Sequence, residues 1–378
     1  MSAVRAGYRT AVHFVIEMSA PQIGELEESL VREVLRSGRL VKGPMVQRFE
    51  EAVRTEVGTK HAVAVNSGTS ALVAALLAHG VRPGDEVITT PFTFVATLNA
   101  ILHVGAVPRF VDIGDDFNID ASQIDDLLSP STRAVIAVHL YGLPSDVPAI
   151  LRACEARDVV LIEDAAQALG ATVAGRSVGS FGTGCFSFYA TKNITTGEGG
   201  VVTTDDDTVA AAVGILRDQG QRGLYEYVRP GFNFRMSELH AALGVAQMTR
   251  LHVVNDMRRA NAAVLRAGLC GIEGLVLPVE PEERRHVVHQ FTVRVTSAAK
   301  VSRDVVCASL AERDIRCGIY YPRPVFDYEC FRSDARIGDP CTPRAAQYAR
   351  EVLSLPVHPG LGRNDLDRIV DSLWEVLV

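Results

Sequence analysis

Apolar positions along this chain recur with two different periods, and the switch between them divides it. In "IGELEESLVREVLRSG", Ile23 to Gly38, apolar residues fall three and four apart and the run stops on glycine, so the spacing predicts a helix. From His61 the texture changes. "HAVAV" predicts a short strand, "NSGT" a turn and "SALVAALLAHG" a helix ending at Gly80. "EVITT", "VPRFVDI", "RAVIAVHLYG", "VVLIEDAA" and "CFSFY" predict further strands, with "FVATLNAILHVG" and "VPAILRACEARD" as helices among them. Short strands alternating with helices predict βαβ units and a mostly parallel sheet covered on both faces. "MSELHAALGVAQMTRLHVVNDMRRANAAVLRAG" then reads as one long helix leading away. Beyond about Gly271, "HQFTVRV" and "IRCGIYYP" read as strands, and "SRDVVCASLAERD" and "RNDLDRIVDSLWEVL" as helices of a smaller α+β lobe. The expected division is an N-terminal extension over 1–20, a large α/β domain over 21–250, and a connecting helix with a small C-terminal domain over 251–378.

Composition narrows the classes. The 378 residues are 47% hydrophobic and 22% charged, a globular balance large enough for two lobes. A net charge of −7 argues against a sequence-independent grip on nucleic acid, which needs a basic footprint. No apolar run approaches a membrane span. "MSAVRAGYRTAVHFVIEMSA" resembles an export signal only faintly, because His13 and Glu17 interrupt its apolar patch. The 7 cysteines are scattered, odd in number and without a C-x-x-C pair, so the expected compartment is a reducing cytoplasm.

Three short motifs carry chemistry. "VNSGTSAL" places Ser67, Gly68 and Thr69 between a strand end and a helix start, where free N–H groups and the helix dipole favour an anion. Taken alone, this reads more readily as an ordinary N-cap. "LIEDAAQALG" ends an apolar strand in Glu163-Asp164, with Gln167 three residues on, and strand ends of open α/β sheets are where ligands sit. In "GCFSFYATKNITTGEGG", Ser187 offers a hydroxyl to a phosphate and Lys192 follows in a turn. Gly179, Gly182 and Gly184 come too late, and precede a strand, so they are turn residues rather than a dinucleotide fingerprint. A phosphate cup, a strand-end carboxylate and a lysine amine together match the needs of pyridoxal 5′-phosphate.

Longer stretches then bear a resemblance. "HAVAVNSGTSAL", "GDEVITTPFTFVATLNAILHVGAVPRFVDI", "IEDAAQALGA", "GCFSFYATKNITTGEGGVVTTDD", "GFNFRMSELHAALGVAQ" and "VLSLPVHPGL" resemble the DegT-type sugar aminotransferases. The likeness runs from about Pro21 to the C-terminus. It implies the aspartate-aminotransferase type of pyridoxal phosphate fold and a homodimer with active sites at the interface. Carried over by position, Lys192 would hold the cofactor and move protons, and Asp164 would pair with the ring nitrogen. Gln167 would approach the ring's 3-oxygen and Phe94 would stack on its face. Gly68, Thr69 and Ser187 would hold the phosphate, and Asn233 would reach it from the other subunit. On the substrate side, the resemblance places Tyr320, Tyr321 and Arg323 near the sugar entrance and His289 near the site. One departure is Gln219 in "RDQG", where many relatives have histidine.

The resulting expectation is an aminotransferase that takes nitrogen from L-glutamate or glutamine, passing through pyridoxamine phosphate. The expected acceptor is a nucleotide-linked 3- or 4-keto sugar, with a keto-cyclitol as the alternative. A dehydratase relative has histidine in place of the lysine, so Lys192 favours amino transfer. A non-catalytic regulator on the same fold predicts loss of the lysine or the carboxylate, and both are present. A nicotinamide dehydrogenase lacks its early glycine fingerprint here.

Overall fold

The structure is a computed structural model that describes residues 15–155 and 157–378. Residues 1–14, most of the expected extension, lie outside the described residues. Ile16 is buried, and its backbone pairs with the 315 region: Ile16 N–H donates to Asp314 O at 2.8 Å and Arg316 N–H to Ile16 O at 2.9 Å. Residues 16 and 17 therefore belong to the small C-terminal lobe.

The large lobe is built on seven strands: β1 (His61–Val65), β2 (Glu86–Thr89), β3 (Val107–Phe110), β4 (Thr132–Val138), β5 (Val160–Asp164), β6 (Thr183–Ser187) and β7 (Gly200–Thr204). They lie in the order β1-β7-β6-β5-β4-β2-β3. All neighbours are parallel except β7, which runs against both β1 and β6. Helices α1 (Glu25–Ser37), α2 (Pro44–Val57), α3 (Gly68–Ala78), α4 (Val95–His103), α5 (Val147–Glu155), α6 (Asp207–Leu216) and α7 (Glu238–Met248) cover it.

Alternation along the strands decides which helices meet which face. In β4, Ala134 and Ile136 join α3, α4 and α6 through Leu72, Ile101 and Val213. Val135 and Ala137 join α1, α2 and α5 through Leu30, Phe49 and Ile150 on the other side. The near-continuous apolar strands are therefore a consequence of burial on both faces.

The stretch expected as one long helix is two. It breaks at Thr249-Arg250 between α7 and α8 (Leu251–Leu269), where Arg250 leaves helical geometry at φ −121°, ψ 11°. There the Arg250 and Gln247 side chains turn toward the buried Glu27 and the Gln22 carbonyl. α8 carries the chain into the small lobe, a three-stranded antiparallel sheet of β8 (Leu275–Val276), β9 (Phe291–Val295) and β10 (Val352–Leu355). Helices α9 (Arg303–Glu312), α10 (Pro343–Glu351) and α11 (Arg363–Leu377) flank it.

"IRCGIYYP" is not a strand. It makes two single bridges, Ile315 with Ile16 and Gly318 with Ser354, and then departs. A Cβ on Gly318 would lie 2.2 Å from the Tyr320 ring, so the chain folds back on itself here. The alternation that suggested a strand instead carries Tyr320 and Tyr321 to the junction of the lobes, where Tyr141 Oη donates to the Tyr320 carbonyl.

Candidate active site

Six of the seven strands point the same way, so their carboxyl ends form one edge. Every candidate residue of the large lobe except Asn233 lies on that edge or in the loops leaving it: Ser67–Thr69 after β1, Phe94 after β2, Asp164 and Gln167 at the end of β5, Ser187 and Lys192 at the end of β6. This is the position the open α/β sheet reserves for ligands.

The candidate phosphate cup forms where three backbones converge. Gly200, the first residue of β7, pairs with Val65 on one side and Ser187 on the other. A Cβ on Gly200 would sit 2.2 Å from Ser67 O, so only glycine fits. Gly68 is crowded less severely, with a Cβ meeting Ser187 Cβ at 2.8 Å. Ser67 caps α3, its Oγ accepting from Ser70 N–H at 3.1 Å. The N–H groups of Gly68 and Thr69, in the first turn, have no helical acceptor and are left for an anion. Ser67 is thus the ordinary N-cap the motif suggested, and the same turn leaves free N–H groups beside Ser187.

The two acids of "IEDAA" separate onto opposite faces. Glu163 is fully buried and accepts from the N–H groups of Gly179 (2.8 Å), Phe181 (2.8 Å) and Gly182 (3.1 Å). Ser145 N–H donates to His139 Nδ1, so Nε2 carries the proton and donates to Glu163 at 3.1 Å. Glu163 therefore anchors the glycine-rich loop. Asp164 faces the site. Its carboxylate accepts from Thr97 Oγ1 at 2.8 Å and Ala166 N–H at 3.3 Å. Burial pushes its pKa up, and these two donors, with Lys192 and His139, pull it back toward the charged form. Thr97 was missed in the sequence. Its signal is the Thr93–Thr97 spacing of four across the start of α4, which joins the two hydroxyls at 2.9 Å.

Lys192 leaves a loop stitched by its own hydroxyls. Thr196 N–H and Thr195 Oγ1 both donate to Phe188 O, at 2.9 and 3.1 Å, and Lys192 N–H donates to Tyr189 O at 2.9 Å. Burial lowers the amine's pKa to about 8, against an opposing pull from Asp164. The amine is thus poised near neutrality, as a nucleophilic lysine requires.

Gln167 accepts from Tyr141 N–H at 2.6 Å and donates to Tyr321 Oη at 3.4 Å. Tyr321 lies 6.1 Å from Phe94, centroid to centroid. Phe94 is 56% exposed, an apolar ring left uncovered beside a polar site. His289 is buried against Asn193, the residue after Lys192, at 3.2 Å. Arg323 is exposed, and its guanidinium lies 5.2 Å from the centre of the Tyr328 ring. Asn233 is exposed, and its carbonyl accepts from Asn66 Nδ2 at 3.3 Å, beside this chain's own cup. Gln219 occupies a left-handed turn at φ 59° with its side chain outward. A groove of about 1010 Å³ beside α2 contains none of these residues, so volume alone does not mark the site.

Comparisons with known proteins identify the family and the fold. The model of the DegT/DnrJ/EryC1/StrS aminotransferase family matches residues 21–374. A UDP-N-acetyl-3-dehydro-α-D-glucosamine 3-aminotransferase of Acidithiobacillus ferrooxidans is 38% identical over 350 residues, covering 92% of each chain. The crystal structure of DesV from S. venezuelae, in complex with a ketimine intermediate, is 37% identical, with a TM-score of 0.88 and coverage of 92% and 93%. The sugar aminotransferase Spr1654 of Streptococcus pneumoniae in its PLP form is 29% identical, with a TM-score of 0.90 and coverage of 97% and 100%.

Two outcomes follow from the local geometry. Glu163→Ala strands three backbone donors and the imidazole N–H, so denaturant unfolding should show a loss of about 3 kcal/mol or more. Gly68→Ala should leave the fold intact, because the crowded neighbour is one serine side chain, but it should weaken pyridoxal phosphate binding at least about tenfold in an absorbance titration.

Proposed function

The chain belongs to the DegT/DnrJ/EryC1/StrS aminotransferase family and is a sugar aminotransferase; from that premise we propose that it transfers the amino group of L-glutamate or glutamine to a nucleotide-linked 3- or 4-keto sugar, using pyridoxal phosphate held at Lys192. The observation that carries this reading is the convergence of Lys192, Asp164 and the Ser67–Thr69/Ser187 cup on one sheet edge.

The residues present fit the cofactor. Gly68, Thr69 and Ser187 offer donors to a phosphate where no side chain intrudes. Phe94 and Asp164 supply an uncovered ring and a buried carboxylate. When bound, the cofactor supplies an aldehyde for a lysine amine and a ring that accepts the electron pair of a broken C–H bond.

The protein's own groups do the rest. With a pKa of about 8, about a tenth of Lys192 is free amine at pH 7, far more than an unperturbed lysine provides. With the cofactor bound and the lysine free of it, that amine would be the base that takes the amino acid's α-proton and delivers it to the cofactor's aldehyde carbon, on the far side of the intervening nitrogen. Asp164, whose charged form is favoured by Thr97 and Ala166 N–H against the opposing effect of burial, would pair with a protonated ring nitrogen. Gln167, fixed by Tyr141 N–H and Tyr321, orients the ring oxygen. Arg323, exposed with its guanidinium 5.2 Å from the centre of the Tyr328 ring, would meet the acceptor's phosphates.

The dimer belongs to the same proposal. Leu224, Tyr225 and Tyr227 on the Gln221–Tyr227 hairpin are 84%, 77% and 61% exposed, and Phe232 and Asn233 beside them are also uncovered. An apolar arm of this kind next to the cup is suited to a second copy, with Asn233 reaching across.

Labelled L-glutamate incubated with a panel of nucleotide-linked keto sugars and keto-cyclitols should deliver label to the nucleotide sugars. Label found only in a cyclitol would overturn the acceptor assignment. Formation of the lysine-linked chromophore by the apoprotein should rise with pH around a midpoint near 8, since a lowered lysine pKa exposes free amine below the usual range. Arg323→Ala should raise KM for the nucleotide sugar about tenfold or more and leave KM for glutamate unchanged, as initial-rate kinetics will show.

A further inference from the structure

Asn193 follows Lys192 directly, and its carboxamide is fully committed. Nδ2 donates to the Val287 carbonyl at 3.0 Å and to Asn255 Oδ1 at 2.9 Å. A carbonyl can only accept, so this bond fixes which end of the amide is nitrogen. Asn255 is oriented the same way, its Nδ2 donating to Leu169 O at 3.1 Å. The remaining atom, Asn193 Oδ1, must accept from His289 Nδ1 at 3.2 Å. His289 therefore carries its proton on Nδ1 and is a donor there, with Nε2 unprotonated. Its burial, with Lys192 and Arg258 nearby, keeps the ring neutral. Arg258, one turn after Asn255 on α8, donates to the carbonyls of Val288 and His289 at 3.3 and 3.1 Å. Asn255 and Arg258 are each 4% exposed. One face of α8 thus holds the lysine loop, the Leu169 turn and the 287–289 segment as a single unit.

We propose that Asn193 is the positioning residue for Lys192, with His289 acting on it through Nδ1 rather than on the sugar. The inference rests on Lys192 being the reactive amine. The Lys192 side chain leaves a loop whose next residue is pinned from three sides, so the amine's placement is set by this network. A group that must reach both an α-carbon and a cofactor carbon tolerates little misplacement.

The experiment uses the intact protein loaded with pyridoxal phosphate and L-glutamate or L-glutamine, without any sugar. Asparagine places its amide nitrogen where histidine has Nδ1, and glutamine places it where histidine has Nε2. The donor half-reaction should therefore slow about 100-fold in Asn193→Ala and His289→Gln, and less than about tenfold in His289→Asn. The pH midpoint of the bound-cofactor absorbance should shift in the first two and stay near wild type in the third. Asn193→Asp, which keeps shape and loses both amide donors, should behave like Asn193→Ala and replaces it should the alanine variant not fold. His289→Asn as slow as His289→Gln, or Asn193 variants with wild-type rate and pH profile but a lowered unfolding temperature, would overturn the proposal. A wild-type protein that forms no lysine-linked chromophore overturns the reading of Lys192 itself, and this inference with it.

Discussion

The rest of the structure depends on one close approach: the start of β7 lies against the Ser67 carbonyl with room for no side chain. Because β7 runs antiparallel between β1 and β6, that contact brings the end of β1 and the end of β6 to either side of one residue, Gly200. The α3 N-terminus and Ser187 are thereby joined into one cup. The loop that begins with Phe188 must return to Gly199, and Lys192 stands on that loop. A fully parallel sheet would not require the return. The single reversed strand is therefore what places the lysine beside the phosphate donors.

Electrostatics at the site follow from burial acting on opposite charges. Burial pushes Asp164 up and Lys192 down, toward neutrality in both cases. Two hydrogen-bond donors oppose the carboxyl's shift without cancelling it, while the amine has only the pull of Asp164 against its desolvation. The outcome is a carboxyl raised above its usual range and an amine lowered to about 8, brought toward each other by burial in one site. Glu163, one residue away on the opposite face, meets the same burial with four donors and serves the fold alone.

Much of this was legible in the sequence where a local pattern carried it. The βαβ alternation predicted the sheet, and Lys192, Asp164, Gly68 and Ser187 fall together because motifs after parallel strands share an edge. What the sequence hid depends on contacts between distant segments. The reversal of β7 has no local signature, since "GVVTT" reads like any buried strand. The break at Thr249-Arg250 lies inside an unbroken helical pattern and is set by Glu27 and Gln22 more than two hundred residues away. "IRCGIYYP" alternates like a strand, but its tyrosines serve the junction of the lobes. His289 is placed near the site by resemblance alone, and only the amide orientations of Asn193 and Asn255 reveal that its Nδ1 donates to Asn193.

The central claim is that Lys192 captures an aldehyde cofactor. Borohydride reduction of the protein incubated with pyridoxal phosphate, followed by peptide mapping, tests it most directly. The account predicts one irreversible adduct, on the peptide containing Lys192, with loss of the yellow colour and of amino transfer. An adduct spread over surface lysines, or none while Lys192 is recovered unmodified, would contradict it.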